Sequence, residues 1–198
     1  MPVREPIRLG RRIVVWGATG SGKTTLARRL GELLGLGVIE LDAIRHRYGW
    51  DSVELEDMRP VLSQRLESLP DGWVVDGGYH SAVGDLYLHA ADTLIWLHLP
   101  WRVSFWRLFK RTVTRAWTRE PVYYEDGPRE SWRLSFLTRR SILLWSISNH
   151  RTNVRNARQR IATLPPGVQV HELRSTKEVA AFEAKLGGTI GAPRTLRR

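Results

Sequence analysis

The sequence predicts a three-layer α/β fold, a five-stranded parallel sheet with helices on both faces. Three observations predict it. Short apolar runs at 11–16, 36–41, 73–76, 93–99 and 168–173 alternate with stretches of helical periodicity, the order that builds parallel strands joined by crossover helices. The first run passes directly into a glycine-rich loop and then a helix. Glycines or carboxylates stand where the first three runs end, at Gly17, at Asp42 and at Asp76-Gly77-Gly78, which is the side on which open parallel sheets bind ligands.

Taken in order, residues 11–16 read as a buried strand. A helix over about 23–34 sets Leu26, Leu30, Leu33 and Leu34 on one face and closes near Gly35. The second strand, 36–41, ends at Asp42, and the following DAIRHRYGWDS reads as irregular with Gly49 as a break. Residues 56–69 are helical, striped by Met58, Val61, Leu62, Leu66 and Leu69, with Pro60 tolerated in the first turn. Pro70, Asp71 and Gly72 turn into the third strand, 73–76; a short helix at 82–90 and the fourth strand, 93–99, follow. A helix at 101–117 places Val103, Trp106, Phe109, Val113 and Trp117 on one face and Arg107, Arg111 and Arg115 on the opposite one. TREPVYYEDGPRE is an exposed excursion. Helical pattern resumes near 131 and runs to 164 in two pieces, interrupted near Asn149. Pro165, Pro166 and Gly167 end it, 168–173 is the fifth strand, and Ser175 with Glu178 forms a capping box for a last helix, 176–186. The organisation is an N-terminal extension (1–10), one domain (11–186) with a small helical Arg-rich lid at about 107–131, and a disordered tail (187–198).

With 198 residues and 42% apolar content the chain can bury one substantial core. No apolar run approaches the roughly 20 residues of a membrane span, the first residues do not read as a secretory signal, and a cytoplasmic protein is expected. Cysteine is absent, which excludes disulfides, thiolate metal sites and thiol nucleophiles. The net charge of +11 is uneven: residues 1–100 sum to −2 and residues 101–198 to +13. Of the 31 basic residues 27 are Arg, suited to forked contacts with phosphate oxygens, although a GC-rich coding sequence gives the same bias.

Residues 17–24, GATGSGKT, fit G-x-x-x-x-G-K-[ST] in the strand, loop, helix setting that the phosphate loop requires. Its four fixed positions coincide by accident in roughly one chain in a hundred of this length, and the flanking strand and helix make accident rarer. Gly17, Gly20 and Gly22 leave no Cβ between main chain and anion, so the amides of Gly17, Ala18, Thr19, Gly20, Ser21, Gly22, Lys23, Thr24 and Thr25 can surround a polyphosphate at a helix N-terminus. Lys23 is expected on the β/γ-phosphates and the Thr24 hydroxyl on Mg2+. Phosphoryl transfer further needs a metal-directing carboxylate, an acceptor site and cations. Asp76 suits the first, against a plain capping role; Asp42 suits an acceptor hydroxyl, against a helix cap. Arg107, Arg111 and Arg115, with Arg119 beyond them, could line an anionic groove or form a solvated face. Arg155 is a candidate substrate contact from a second cluster (Arg151, Arg155, Arg158, Arg160) that reads more simply as solvated. The six His show no metal-ligand spacing.

GATGSGKTTLARRLGELL, then IELDAI, then GWVVDGGYHSAVGDLYLHAADTLIWLHLPW resemble the bacterial P-loop proteins related to adenylate kinase that are called topology-modulation proteins. The likeness covers about 11–186 and implies a P-loop NTPase fold of the nucleoside and nucleotide kinase kind. It further implies ATP on residues 20–25, a metal-linked carboxylate at Asp76, acceptor contacts at Asp42, Arg45, Gly77, Gly78 and Tyr79, and lid cations at Arg111, Arg115 and Arg119. Two motifs differ: Asp76-Gly77-Gly78-Tyr79 stands for DGNY and Leu97-His98-Leu99-Pro100 for LDLP. The expected function is an Mg2+-dependent phosphotransferase that uses Lys23, Asp76, Arg111 and Arg115 to move the γ-phosphoryl of ATP to a small acceptor, nucleotides among the candidates. The alternative is a nucleic-acid-associated P-loop ATPase or regulatory nucleotide-binding protein affecting DNA topology, suggested by the basic second half.

Overall fold

A computed structural model of the chain describes residues 7, 9–46, 57–118, 121 and 142–190. Its five strands are β1 (Arg12–Gly17), β2 (Gly37–Glu40), β3 (Trp73–Asp76), β4 (Thr93–Leu97) and β5 (Gln169–Leu173). All pair in parallel, in the order β2-β3-β1-β4-β5. The chain leaves β1 for the far edge, returns to β1's side through β3, then crosses to build β4 and β5. A crevice therefore opens at the carboxyl end of β1, where the winding reverses. The expected five-stranded parallel architecture is present.

Seven helices among the described residues cover this sheet: α1 (Lys23–Leu34), α2 (Leu41–Arg45), α3 (Met58–Glu67), α4 (His80–Leu88), α5 (Trp101–Thr118), α6 (Ile142–Ala162) and α7 (Thr176–Ile190). Because side chains alternate along a strand, β1 feeds two cores. Val14 and Trp16 join Ile39, Val75, Leu94 and Trp96 beneath α3, α4 and α6, whereas Ile13 and Val15 join Val74, Ile95 and Leu97 beneath α1 and α7. Each fully buried aliphatic side chain stabilises by about 1.5–3 kcal/mol, which is what fixes β1 in the middle. Among the described residues no helix is long and apolar enough to cross a membrane.

Five elements differ from expectation, four of them in detail. Asp42 does not close a strand: residues 41–45 form the short helix α2, so Asp42 lies in a helical first turn. On α1 the buried stripe is Leu26, Ala27, Leu30 and Gly31, with Leu33 turned outward. A Cβ on Gly31 would stand 2.4 Å from Val38 Cγ2, so the helix seats on its smallest residue. Helix α6 runs unbroken through Asn149, whose amide donates to the carbonyl of Trp145, as the hydroxyl of Ser148 does to that of Leu144; both side chains bond back within the helix instead of ending it. Helix α7 continues four residues past its expected end. Residues 47–56, which include the end of the irregular DAIRHRYGWDS, the excursion apart from Thr118 and Pro121, the helical restart at 131, the Arg-rich lid beyond 118 apart from Pro121, and the tail beyond 190 lie outside the described residues.

Helix α5 is the largest departure. Its buried stripe is Ser104, Leu108, Thr112 and Ala116, while Trp106 is 58% and Trp117 80% exposed. The reason is what it lies against. A Cβ on Gly20 would sit 2.3 Å from the carbonyl oxygen of Ser104 and 2.9 Å from Leu108 Cβ. Main chain meets main chain there, so the contact face takes small residues and the large aromatics stay outside. Trp101, Phe105 and Phe109 stack along the flank instead. Arg107, Arg111 and Arg115 consequently border the buried stripe rather than oppose it.

Candidate functional site

The crevice is built from the loop upward. Ser21 N donates to the carbonyl of Ala18 at 3.0 Å, folding residues 18–21 into a turn. Gly20 (φ 82°) and Gly22 (φ 98°) are left-handed, a conformation costly to other residues. Gly22 is the N-cap of α1 and has no side chain with which to cap it. The first-turn amides of α1, which no helical carbonyl can satisfy, are thereby available to an anion together with the positive end of the helix. The Lys23 ammonium bends over the loop, its Nζ donating to the carbonyl of Ala18 at 3.4 Å. Thr25, the next residue of the helix, is exposed.

Thr24 Oγ1 donates to Asp76 Oδ2 at 2.5 Å. Asp76 ends β3, one strand over from the loop, and is only 4% exposed; its Oδ1 is buried with no hydrogen-bond partner. Burial pushes this carboxyl's pKa above its ordinary value, Lys23 and the Thr24 hydroxyl pull it back, and Asp42 and Glu40 push it further up. An orphaned carboxylate oxygen beside a hydroxyl and beneath an amide cradle suits a hard divalent cation that brings phosphate oxygens with it. Among the described residues no group of three or more His, Asp or Glu could hold an ion unaided. The residues present therefore fit Mg2+ carried on a polyphosphate.

The other wall comes from α2 and the turn after β3. Tyr79 donates its hydroxyl to Asp42 Oδ1 at 2.8 Å, joining two of the expected acceptor residues. Arg45 Nη1 is buried and makes no hydrogen bond. Gly77 (φ 142°) lets the turn pass under α2: a Cβ there would stand 2.8 Å from Leu41 Cβ. Gly78 is exposed beside it.

The cationic residues divide. Arg107 Nη1 donates to the carbonyl of Ser21 at 3.2 Å and lies 3.7 Å from where a Gly22 Cβ would be, so it reaches the loop itself. Arg111 is exposed and Arg115 half-buried on the following turns of the same side. Arg155 is exposed on α6, and no described contact joins it to the loop. Arg119 lies outside the described residues. Sequence reasoning missed Glu40 and Arg28, which pair at 2.6 Å beside Asp76. The signal was present: Arg28 is one helical turn beyond Thr24, and Glu40 ends its strand as Asp76 does.

No family model matches the chain. The curated shikimate kinase of Paramagnetospirillum magneticum is 30% identical over 135 residues, covering 62% of this chain and 66% of that protein, so the match spans just under two thirds of the relative's length. A solved gluconokinase from Sinorhizobium meliloti 1021 aligns over 93% of each chain at 16% identity, with a TM-score of 0.49. The shikimate kinase from Acinetobacter baumannii, in complex with shikimate, aligns over 90% of this chain and 91% of its own at 17% identity, also with a TM-score of 0.49. At that distance the solved structures bear on no question of substrate. The phosphate-loop sequence, seated at the crevice of a parallel sheet ordered β2-β3-β1-β4-β5, gives this chain a P-loop α/β fold, and in sequence it is similar to a shikimate kinase.

Proposed function

We propose that the protein is an Mg2+-dependent phosphotransferase that moves the γ-phosphoryl of ATP to a hydroxyl of a small anionic acceptor. The observation that carries this reading is the bond from Thr24 to the buried Asp76, whose second oxygen is left unpartnered under the loop. Bound there, Mg2+ would neutralise charge between the phosphates. The loop amides and Lys23 hold the polyphosphate in line, and Arg107, with Arg111 and Arg115 behind it, supplies cationic charge from α5. Asp42, steadied by Tyr79, orients the acceptor hydroxyl. Its oxygen bonds to the γ-phosphorus, its proton passes to Asp42, and the bond to ADP breaks. Arg45, with a buried unpaired nitrogen, suits an acceptor carboxylate or phosphate. A hydroxylated acid of the kind named in the relative, shikimate, uses Asp42 and Arg45 together; a nucleoside monophosphate uses Arg45 through its phosphate.

The test is acceptor-dependent ADP release with ATP or GTP and Mg2+, across shikimate, gluconate, nucleoside monophosphates, nucleosides, small sugars and a 5′-hydroxyl oligonucleotide, with Lys23→Ala as blank. Release that depends on one anionic acceptor is expected. Flat release across the panel, together with DNA binding that falls steeply with salt, would replace this reading with the nucleic-acid one.

A further inference from the structure

Helix α1 presents two side chains one turn apart, each bonded to the carboxylate that ends a neighbouring strand. Thr24 reaches Asp76 of β3 at 2.5 Å, and Arg28 Nε reaches Glu40 of β2 at 2.6 Å. Glu40 and Asp76 are partners in the parallel register. They follow Val38 and Val74 by two residues, so both point to the face that α1 covers. The four groups form two adjacent rungs, hydroxyl to carboxylate and guanidinium to carboxylate. Asp76 is affected by the charge of Glu40, and Arg28 by the charges of both.

Two carboxylates side by side at the mouth of a phosphate site have a specific liability. Hard divalent cations are bound by carboxylate pairs, so an unpaired Glu40 would combine with the orphaned Asp76 Oδ1 into a site that takes an ion with no nucleotide present. We propose that Arg28 is a positioning residue that holds Glu40 away from Asp76, so that a divalent ion enters this site only together with a polyphosphate. The inference rests on the nucleotide reading above. What remains for an ion in the free protein is one carboxylate and one hydroxyl, with the Lys23 ammonium close by. Such a set is weak until phosphate oxygens complete it.

The sign of the effect separates this role from a structural one, because removing Arg28 should create binding rather than abolish it. Mn2+ replaces Mg2+ as the probe, and free Mn2+ is counted by electron paramagnetic resonance with and without ATP. In Arg28→Met, and in Arg28→Gln measured beside it, nucleotide-free Mn2+ binding is expected to tighten about tenfold or more. Adding Glu40→Gln to either variant should return it to the wild-type level, and Arg28→Lys should behave as wild type. The Arg28 side chain is 59% exposed, so its loss removes little packing, and melting curves confirm that each variant is folded. Wild type that fails to bind Mn2+ with ATP overturns the nucleotide reading. Wild type that binds Mn2+ with ATP, while both folded Arg28 variants gain no nucleotide-free binding, overturns the role of Arg28 alone.

Discussion

Thr24 Oγ1 and Asp76 Oδ2 stand 2.5 Å apart, joining the last hydroxyl of the phosphate loop to the end of a strand 52 residues later. In the proposed reading this bond marks where Mg2+ would sit. Asp76→Asn preserves size and removes charge, and burial already disfavours that charge. Its melting temperature without ligand is expected to be equal to or above that of wild type, while Mg2+-dependent ATP affinity falls about tenfold or more. Calorimetry with and without Mg2+ checks it; unchanged Mg2+ dependence would remove Asp76 from the metal site.

Gly20 and Gly35 are both left-handed, but only Gly20 faces main chain: the carbonyl of Ser104 lies 2.3 Å from its ideal Cβ, whereas nothing lies within 4 Å of that of Gly35. Gly35→Ala should cost about 1 kcal/mol, the backbone penalty alone. Gly20→Ala should cost about 2 kcal/mol more, since α5 must also move. Urea denaturation of both variants measures the difference, and equal costs would mean that α5 is not seated on the loop.

The rotated face of α5 predicts a large cost at buried Leu108 and almost none at exposed Trp117. Leu108 is fully buried and Leu108→Ala should cost about 2–5 kcal/mol. Trp117→Gln, the most conspicuous apolar loss in the sequence, should change stability by no more than about 0.5 kcal/mol. A large cost at Trp117 would restore the face read from periodicity.

At the far edge of the crevice, Glu172 Oε1 meets His98 Nδ1 at 2.6 Å and Oε2 meets Arg174 Nη2 at 2.7 Å. Arg174, more than His98, draws the Glu172 pKa down to about 2. A carboxyl lowered by folding stabilises fully above its unfolded value of about 4.3 and loses that contribution as the pH falls toward 2. These groups are partly exposed, so Glu172→Gln should cost under about 1 kcal/mol at pH 7, with the difference shrinking steadily between pH 4 and pH 2. A cost independent of pH would assign Glu172 to packing instead.

The parts of this molecule that follow from periodicity and local chemistry were legible in its residues. The five strands, the glycine loop with Lys23 and Thr24, and Asp76 at the end of β3 all depend on patterns only a few residues long. Asp42 was singled out as a carboxylate at a strand end, Arg45 and Tyr79 were gathered by resemblance, and Asp42 with Tyr79 proves to be bonded. What was not legible depends on which surfaces meet. Periodicity on α5 pointed to Trp106 and Trp117, because nothing local records that the loop's main chain would demand a partner as small as Ser104. Asn149, a weak helix former, suggested a break in α6, since its bond back to Trp145 exists only once the helix does. His98 was noticed only as a missing carboxylate; its partner Glu172 lies 74 residues away on an adjacent strand.

Asp76 is also a boundary stone. In the proposed reading the nucleotide's wall is made by β1, α1 and α5 and the acceptor's by α2 and the bend at Gly77, separate stretches of polypeptide that meet beside this strand end. A lineage could recut the second wall for a new molecule with edits near Asp42, Arg45 and Tyr79 and leave the first wall as it was. The two specificities are therefore free to diverge at different speeds.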